Sequence, residues 1–256
     1  MTAFPADLRT ALTNLARTPR LLVASDFDGT LSHLVNNPAD ARPVPGATEA
    51  LQALAALPNT AVTLISGRAL AVLTELSGAP NGVHLIGSHG AESAGGFTQP
   101  IDGGLLDTIR AGLDPIAAEY PGARVESKPA GVVLHVRNAT PDVGAAALAA
   151  ARAAAVSWPA KMTEGKAILE FAVIETDKGM AIDQLRVHEK ATAVVFFGDD
   201  VTDEDAFRRL HDGVDVGVKV GPGDTLAPFH LDTPDDVAVA LELLLAERSA
   251  HRRESQ

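Results

Sequence analysis

The sequence predicts an α/β protein: a doubly wound parallel sheet interrupted by a smaller α+β insert. Three observations carry this. Apolar runs at 20–25, 61–65, 83–87, 191–197 and 214–220 end abruptly at polar or glycine residues, as buried parallel strands do. Segments with helical leucine spacing separate them, which is the alternation of a doubly wound sheet. Between about 100 and 174 the order becomes helix-strand-strand, repeated once, which fits an antiparallel sheet covered on one face. The core domain is therefore assigned to 1–99 and 175–256, and an inserted cap domain to 100–174.

In order, Leu8, Leu12 and Leu15 predict an amphipathic lead-in helix over 6–17. The first strand, 20–25, runs into Asp26-Phe27-Asp28-Gly29-Thr30. Residues 32–45, with three prolines, read as loop and place His33 near the site entrance. Helix 47–57 ends at Pro58-Asn59, and strand 61–65 stops at Ser66-Gly67-Arg68. Helix 69–77 has Gly78 just past its end, as C-caps prefer. Strand 83–87 completes the first half, and Gly95, Gly96 and Pro100 mark a linker. In the insert, helix 104–119 precedes strands 123–127 and 132–137. Helix 141–156 then precedes strands 160–162 and 167–173. Trp158, before Pro159, is assigned to a hinge or to cap-core packing. After Thr176 come helix 179–187, strand 191–197 ending at Gly198-Asp199-Asp200, helix 203–211, strand 214–220 and helix 234–247. The charged tail 247–256 is expected to fray.

The chain has 256 residues, 46% of them apolar, enough for a sizeable core. Its 21 basic and 33 acidic residues give a net charge of −12, which argues against nucleic acid or an anionic membrane as partner. An anionic substrate then needs local cations or a metal. The absence of cysteine excludes thiolate catalysis and zinc-thiolate sites. Asp7 and Arg9 stand where a secretory signal would be apolar, and no segment reads as membrane-spanning, so a soluble cytoplasmic protein is expected.

Asp26 and Asp28, two apart at a strand end, would share a side of extended chain. They could bind a hard divalent metal, divide nucleophilic and acid–base roles, or simply form an Asp-Gly turn. Strand carboxyl ends in an open parallel sheet converge on one crevice, which brings Ser66, Asp199, Asp200 and Asp203 near them. Such a group of carboxylates needs a cation, and oxygen ligands without His or Cys point to Mg²⁺. Thr202 and Asp205 have capping-box-like spacing, so the acidic run also suits a helix start. Lys178, at a predicted helix N-terminus, could hold a phosphate with the Ser66 hydroxyl, or be a solvated surface lysine. Together these groups make a phosphoryl-transfer site, and no GxxxxGK[ST] loop points to a nucleoside triphosphate.

At this point the chain resembles the haloacid dehalogenase superfamily of phosphatases, with Asp26 to Thr30, Ser66, Lys178 and Gly198 to Asp203 as its four motifs in order. The resemblance implies that Asp26 forms an aspartyl-phosphate. Asp28 would protonate the leaving oxygen and then deprotonate water, while Ser66, Gly67 and Lys178 hold the phosphate. It also implies Mg²⁺ held by Asp26, the Asp28 carbonyl and Asp199, with Asp200 or Asp203 in support. Ser66-Gly67-Arg68, the Gly87 to Glu92 stretch and Gly198 to Glu204 are similar to trehalose-6-phosphate phosphatases. So are Glu126-Ser127-Lys128, Val132 to Arg137, and Glu170 eight before Lys178. This implies hydrolysis of trehalose 6-phosphate, with Arg68, His89, Glu126, Lys128, Arg137 and Glu170 as sugar contacts. A cap that closes over the sugar and a monomer or weak homo-oligomer are expected with it. Asp200 and His89 each stand where relatives have Asn. Another sugar phosphate such as sucrose 6-phosphate or glucosylglycerol phosphate, a non-catalytic sugar-phosphate sensor, and a phosphomutase are the alternatives.

Overall fold

The computed structural model describes residues 4–254. The chain forms two compact units: residues up to Gly96 together with those from Thr176 onward, and Phe97–Glu175.

In the first unit, α1 (Ala6–Leu15), β1 (Leu21–Ser25), α2 (Ala47–Ala55), β2 (Thr60–Ile65), α3 (Leu70–Ser77) and β3 (His84–Ile86) alternate as expected. Two-residue strands β4 (Glu92–Ser93) and β5 (Gly96–Phe97) pair with each other. The second unit holds α4 (Gly103–Glu119), β6 (Arg124–Lys128), β7 (Gly131–His135), α5 (Pro141–Ala154), β8 (Lys161–Gly165) and β9 (Ile168–Ala172). The chain then completes the first unit with α6 (Lys178–Glu189), β10 (Ala193–Gly198), α7 (Glu204–Phe207), β11 (Val216–Val220), β12 (Phe229–Leu231) and α8 (Pro234–Glu254).

The first unit's sheet is parallel throughout, in the order β12-β11-β10-β1-β2-β3. Every residue of β1, β10 and β11 is buried, because helices cover both faces. Leu21, Val23, Val195 and Phe197 pack against α1, α2 and α8, and Leu22, Ala24, Val194 and Phe196 against α6 and α7. Each fully buried aliphatic or Phe side chain contributes about 1.5–3 kcal/mol, so these layers hold the strand ends rigid. The second unit's sheet is antiparallel, in the order β6-β7-β9-β8. Val132, Leu134, Leu169 and Phe171 form its core with Ile109 and Leu113 of α4 and Ala147 and Ala151 of α5. Trp158 stands edge-on to Phe171 at 5.2 Å, so it packs within this core.

Three expectations fail for identifiable reasons. Helix 203–211 shrinks to Glu204–Phe207: Val201–Asp203 form a 3-10 turn before it, and after it the N–H groups of Arg209 and Leu210 return to the Ala206 and Phe207 carbonyls in tight turns. The capping box there joins Asp200 and Asp203, not Thr202 and Asp205. The tail does not fray at Glu247: α8 continues to Glu254, while residues 255–256 lie outside the described residues. Arg248, 1% exposed, anchors that extension. It donates to the Thr60 hydroxyl (2.7 Å) and to the carbonyls of Ala16 (3.0 Å), Thr18 (3.0 Å) and Asn59 (2.7 Å). Charge density alone hid this long-range pairing. The edge strand β12, three residues long, is too short to carry a periodic signal. Among the described residues no helix is long and apolar enough to cross a membrane.

Candidate active site

Ser25 at the end of β1 lies in register with Phe197 of β10 and Leu64 of β2. The residues that follow these strands therefore emerge along one sheet edge, beside the strand where the order reverses. The Asp26 N–H donates to the Phe197 carbonyl (2.9 Å), carrying the ladder one residue further and burying the carboxylate. Beyond it the backbone turns: the N–H groups of Leu31 and Ser32 both return to the Phe27 carbonyl, at 3.0 and 2.9 Å. The alternation expected to put Asp26 and Asp28 on one side holds only for extended chain. Here they face different cations.

Asp26 Oδ1 accepts from Lys178 Nζ at 2.8 Å, and the same ammonium donates to Asp203 Oδ1 at 2.6 Å. All three side chains are buried. Lys178 is not a solvated lysine. Asp177 supplies the N-cap of α6 by accepting from Met180 N–H (2.7 Å), and the lysine reaches inward at the first turn. Burial alone would lower the Lys178 pKa, but Asp203 and Asp26 more than offset it and hold the ammonium charged. Asp26 is pushed well above the usual carboxylate range, chiefly by burial, with Lys178 opposing and the Asp203 and Asp199 charges adding to the rise. Asp199 is raised to about 6, by burial first and then by Asp203.

Asp199 is framed on every side. Its N–H and that of Asp200 both donate to Asp203 Oδ2, at 2.9 Å each. Its carbonyl accepts from Lys219 Nζ, a buried ammonium on β11. Its carboxylate meets the Thr30 hydroxyl at 3.3 Å. A Cβ on Gly29 would sit 2.0 Å from Asp199 Oδ2, and φ there is +81°, so this turn requires glycine twice over. Likewise a Cβ on Gly198 would sit 2.4 Å from Asp203 Cγ. Asp200 is exposed and points away, capping the 3-10 turn through Val201 N–H (2.7 Å).

Asp26, Asp199 and Asp203 offer oxygens that all lie within 4.8 Å of one another. Burial, with the neighbouring carboxylates adding to it, raises Asp26 and Asp199, which is a penalty that a cation relieves, and an all-oxygen donor set suits a hard divalent ion. The residues fit a divalent metal. Asp203 already accepts three hydrogen bonds, which leaves Asp26 and Asp199 better placed as direct ligands. Neither Asp28 nor Asp200 is in this group.

Arg68 forks onto Asp28, its Nε and Nη2 each 2.6 Å from a carboxylate oxygen, the strongest form of ion pair. The Ser66 hydroxyl is buried and accepts from the Arg68 N–H at 3.2 Å. The His89 imidazole lies directly over Gly67. Ser88 and His89 both adopt positive φ, at 50° and 55°. Such strain collects at functional sites. Glu92 has a structural job: it accepts from Leu70 N–H (2.8 Å) and the Ser88 hydroxyl (3.2 Å), capping α3 where Ala69 offers no side-chain acceptor. His33 is exposed and pairs with Asp235 at 2.8 Å.

In the second unit, Lys128 Nζ reaches both oxygens of Glu170, at 2.9 and 3.0 Å, and His135 Nε2 lies 2.7 Å from Glu126 Oε2. Arg137 is exposed, beyond the end of β7.

Sequence reasoning missed Lys219 and the Arg68–Asp28 fork. A signal for the first existed: a lone lysine inside the apolar run VGVKV has to find a partner. The fork joins residues 40 apart and has no local signal.

Residues 24–234 match the trehalose-phosphatase family model. A trehalose-phosphate phosphatase of Mycobacterium leprae is 36% identical over 283 residues, covering 99% of this chain and 64% of that protein. The chain thus spans less than two thirds of the length of the curated relatives it matches. The C-terminal domain of C. albicans trehalose-6-phosphate phosphatase is 26% identical with a TM-score of 0.79, covering 93% of this chain and 96% of that one. Aspergillus fumigatus trehalose-6-phosphate phosphatase is 29% identical with a TM-score of 0.70, covering 93% and 97%.

Proposed function

The chain belongs to the trehalose-phosphatase family, and from that premise we propose that it is a Mg²⁺-dependent phosphatase hydrolysing trehalose 6-phosphate to trehalose and phosphate. The observation that carries the chemistry is the buried Asp26 carboxylate, held by Lys178 within the Asp26, Asp199, Asp203 group.

In this reading Asp26 Oδ attacks phosphorus and the bond from phosphorus to the sugar oxygen breaks. Asp28 gives its proton to the departing oxygen. Asp28 then takes a proton from a water whose oxygen attacks the aspartyl-phosphate, releasing inorganic phosphate and restoring the Asp26 carboxylate. Lys178 and the Ser66 hydroxyl, with backbone N–H of Gly67, stabilise the phosphoryl oxygens. A bound Mg²⁺, held by Asp26, the Asp28 carbonyl and Asp199, would add charge neutralisation at the same oxygens. Asp203 and Lys219 hold Asp199 in place. Arg68, engaged with Asp28, serves the acid–base residue in this reading. His89, Glu126, Lys128, Arg137 and Glu170 keep the sugar-contact role.

The test is phosphate release from trehalose 6-phosphate, glucose 6-phosphate and sucrose 6-phosphate, with and without EDTA. Preference for the first and loss of turnover in EDTA are expected. Failure to prefer it removes the substrate assignment, full activity in EDTA removes the metal, and turnover by Asp26→Asn removes the nucleophile.

A further inference from the structure

The mechanism gives no role to His135, which pairs with Glu126. In the antiparallel sheet of the second unit, Val125, Val132, Leu134, Leu169 and Phe171 face the helices. Side chains alternate along strands, so Glu126, Lys128, Val133, His135 and Glu170 share the opposite face. Glu126 is registered with Val133, and Val133 with Glu170, so the two glutamates stand in one row across three strands. Each is held by a donor: Glu170 by Lys128, and Glu126 by His135 at 2.7 Å.

His135 is registered opposite Arg124, so it reaches Glu126 diagonally. A carboxylate only accepts, so Nε2 carries the hydrogen and donates to Glu126 Oε2. Burial lowers the His135 pKa, with Glu126 opposing, so the ring is neutral at neutral pH and this tautomer is its resting state. Arg124 Nη2 also reaches Oε2, but at 3.4 Å from an exposed side chain. The imidazole is 27% exposed and fixed on a strand, while the glutamate is 40% exposed. Oε2 is thus the oxygen committed to partners within the sheet.

We propose that His135 is a positioning residue for sugar recognition: its Nε2–H fixes the Glu126 carboxylate so that Oε1 meets a substrate hydroxyl in one orientation. This rests on the reading of Glu126 as a sugar contact. A flexible glutamate would have to give up rotamer freedom on binding, and the histidine removes that cost beforehand. The interaction is equal in ground and transition states, so its loss raises KM and spares kcat.

Two variants of similar polarity separate the outcomes. His135→Gln can place an amide N–H near the Nε2 position, whereas His135→Asn is too short. We expect His135→Asn to raise KM for trehalose 6-phosphate about tenfold with kcat within about twofold, and His135→Gln to stay near wild type. Neither variant should change either constant for p-nitrophenyl phosphate, which has no sugar. In the Glu126→Gln background, His135→Asn should add no further loss, because it acts only through that carboxylate. Equal KM values in Asn and Gln variants, a fall in kcat with p-nitrophenyl phosphate, or full additivity with Glu126→Gln would each overturn the proposal. If wild type itself does not turn over trehalose 6-phosphate, the functional reading fails first, and that control is run before the variants.

Discussion

Replacing Asp203 by asparagine isolates the frame that holds the acidic site. The carboxylate is fully buried and accepts three hydrogen bonds, from Lys178 Nζ at 2.6 Å and from the N–H groups of Asp199 and Asp200 at 2.9 Å each. Asparagine offers one acceptor and one donor end. With its oxygen on the two amides, its NH₂ faces the ammonium; turned round, its NH₂ faces two N–H groups. Either way one side of the frame meets donor against donor. Orphaning a buried donor costs about 1–3 kcal/mol, and removing one partner of a buried ion pair about 3–5 kcal/mol. Asn suffers mainly one of these at a time, so the expected loss is about 3–5 kcal/mol. Urea denaturation followed by circular dichroism, in EDTA so that metal linkage does not enter, measures it. The control is Asp200→Asn. That side chain is exposed and caps Val201 N–H, a task asparagine does equally well, so about 0.5 kcal/mol or less is expected. An Asp203→Asn protein within about 1 kcal/mol of wild type would refute the framing role.

Three further outcomes are expected. Arg248→Met removes four hydrogen bonds linking α8 to the ends of α1 and β2, and should cost about 2–4 kcal/mol by the same denaturation; a change below about 1 kcal/mol would show the staple to be redundant. Glu92→Ala leaves Leu70 N–H without its cap and should cost about 1 kcal/mol, read as a lower Tm. Asp199 has its pKa raised from 3.8 to about 6 in the folded, metal-free protein, so the folded state holds a proton there that the unfolded chain releases. The stability contributed by this group is therefore lost as pH rises through that window. Divalent binding displaces the proton, so the Tm gain on adding Mg²⁺ should be small near about pH 5 and full above about pH 7. A gain independent of pH would exclude Asp199 as a ligand.

Much of the fold was legible because its signals are local. Continuous apolar runs ending at Asp26, Ser66 and Asp199 mark buried parallel strands whatever the rest of the chain does. The change to helix-strand-strand marks the insert in the same way. The second part of the site was less legible. Asp199, Asp200 and Asp203 look alike in sequence, yet Asp199 and Asp203 belong to the acidic group, Asp203 also framing it, while Asp200 is an exposed cap. A 3-10 turn in place of a full helical start decides that, since it turns Asp200 outward and Asp203 back over the Asp199 amide. Arg248 was unreadable for another reason: its partners lie 188 to 232 residues away.

The sequence by itself determined the strand order of appearance and the insert, because periodicity and abrupt apolar-to-polar boundaries are short-range properties. Tertiary structure alone decided which charge meets which. Lys178 between Asp26 and Asp203, Arg68 on Asp28, Lys219 on the Asp199 carbonyl and His135 on Glu126 each join separate elements. Such pairings depend on register and burial, and a buried charge is tolerable only where the fold has already brought its partner within reach.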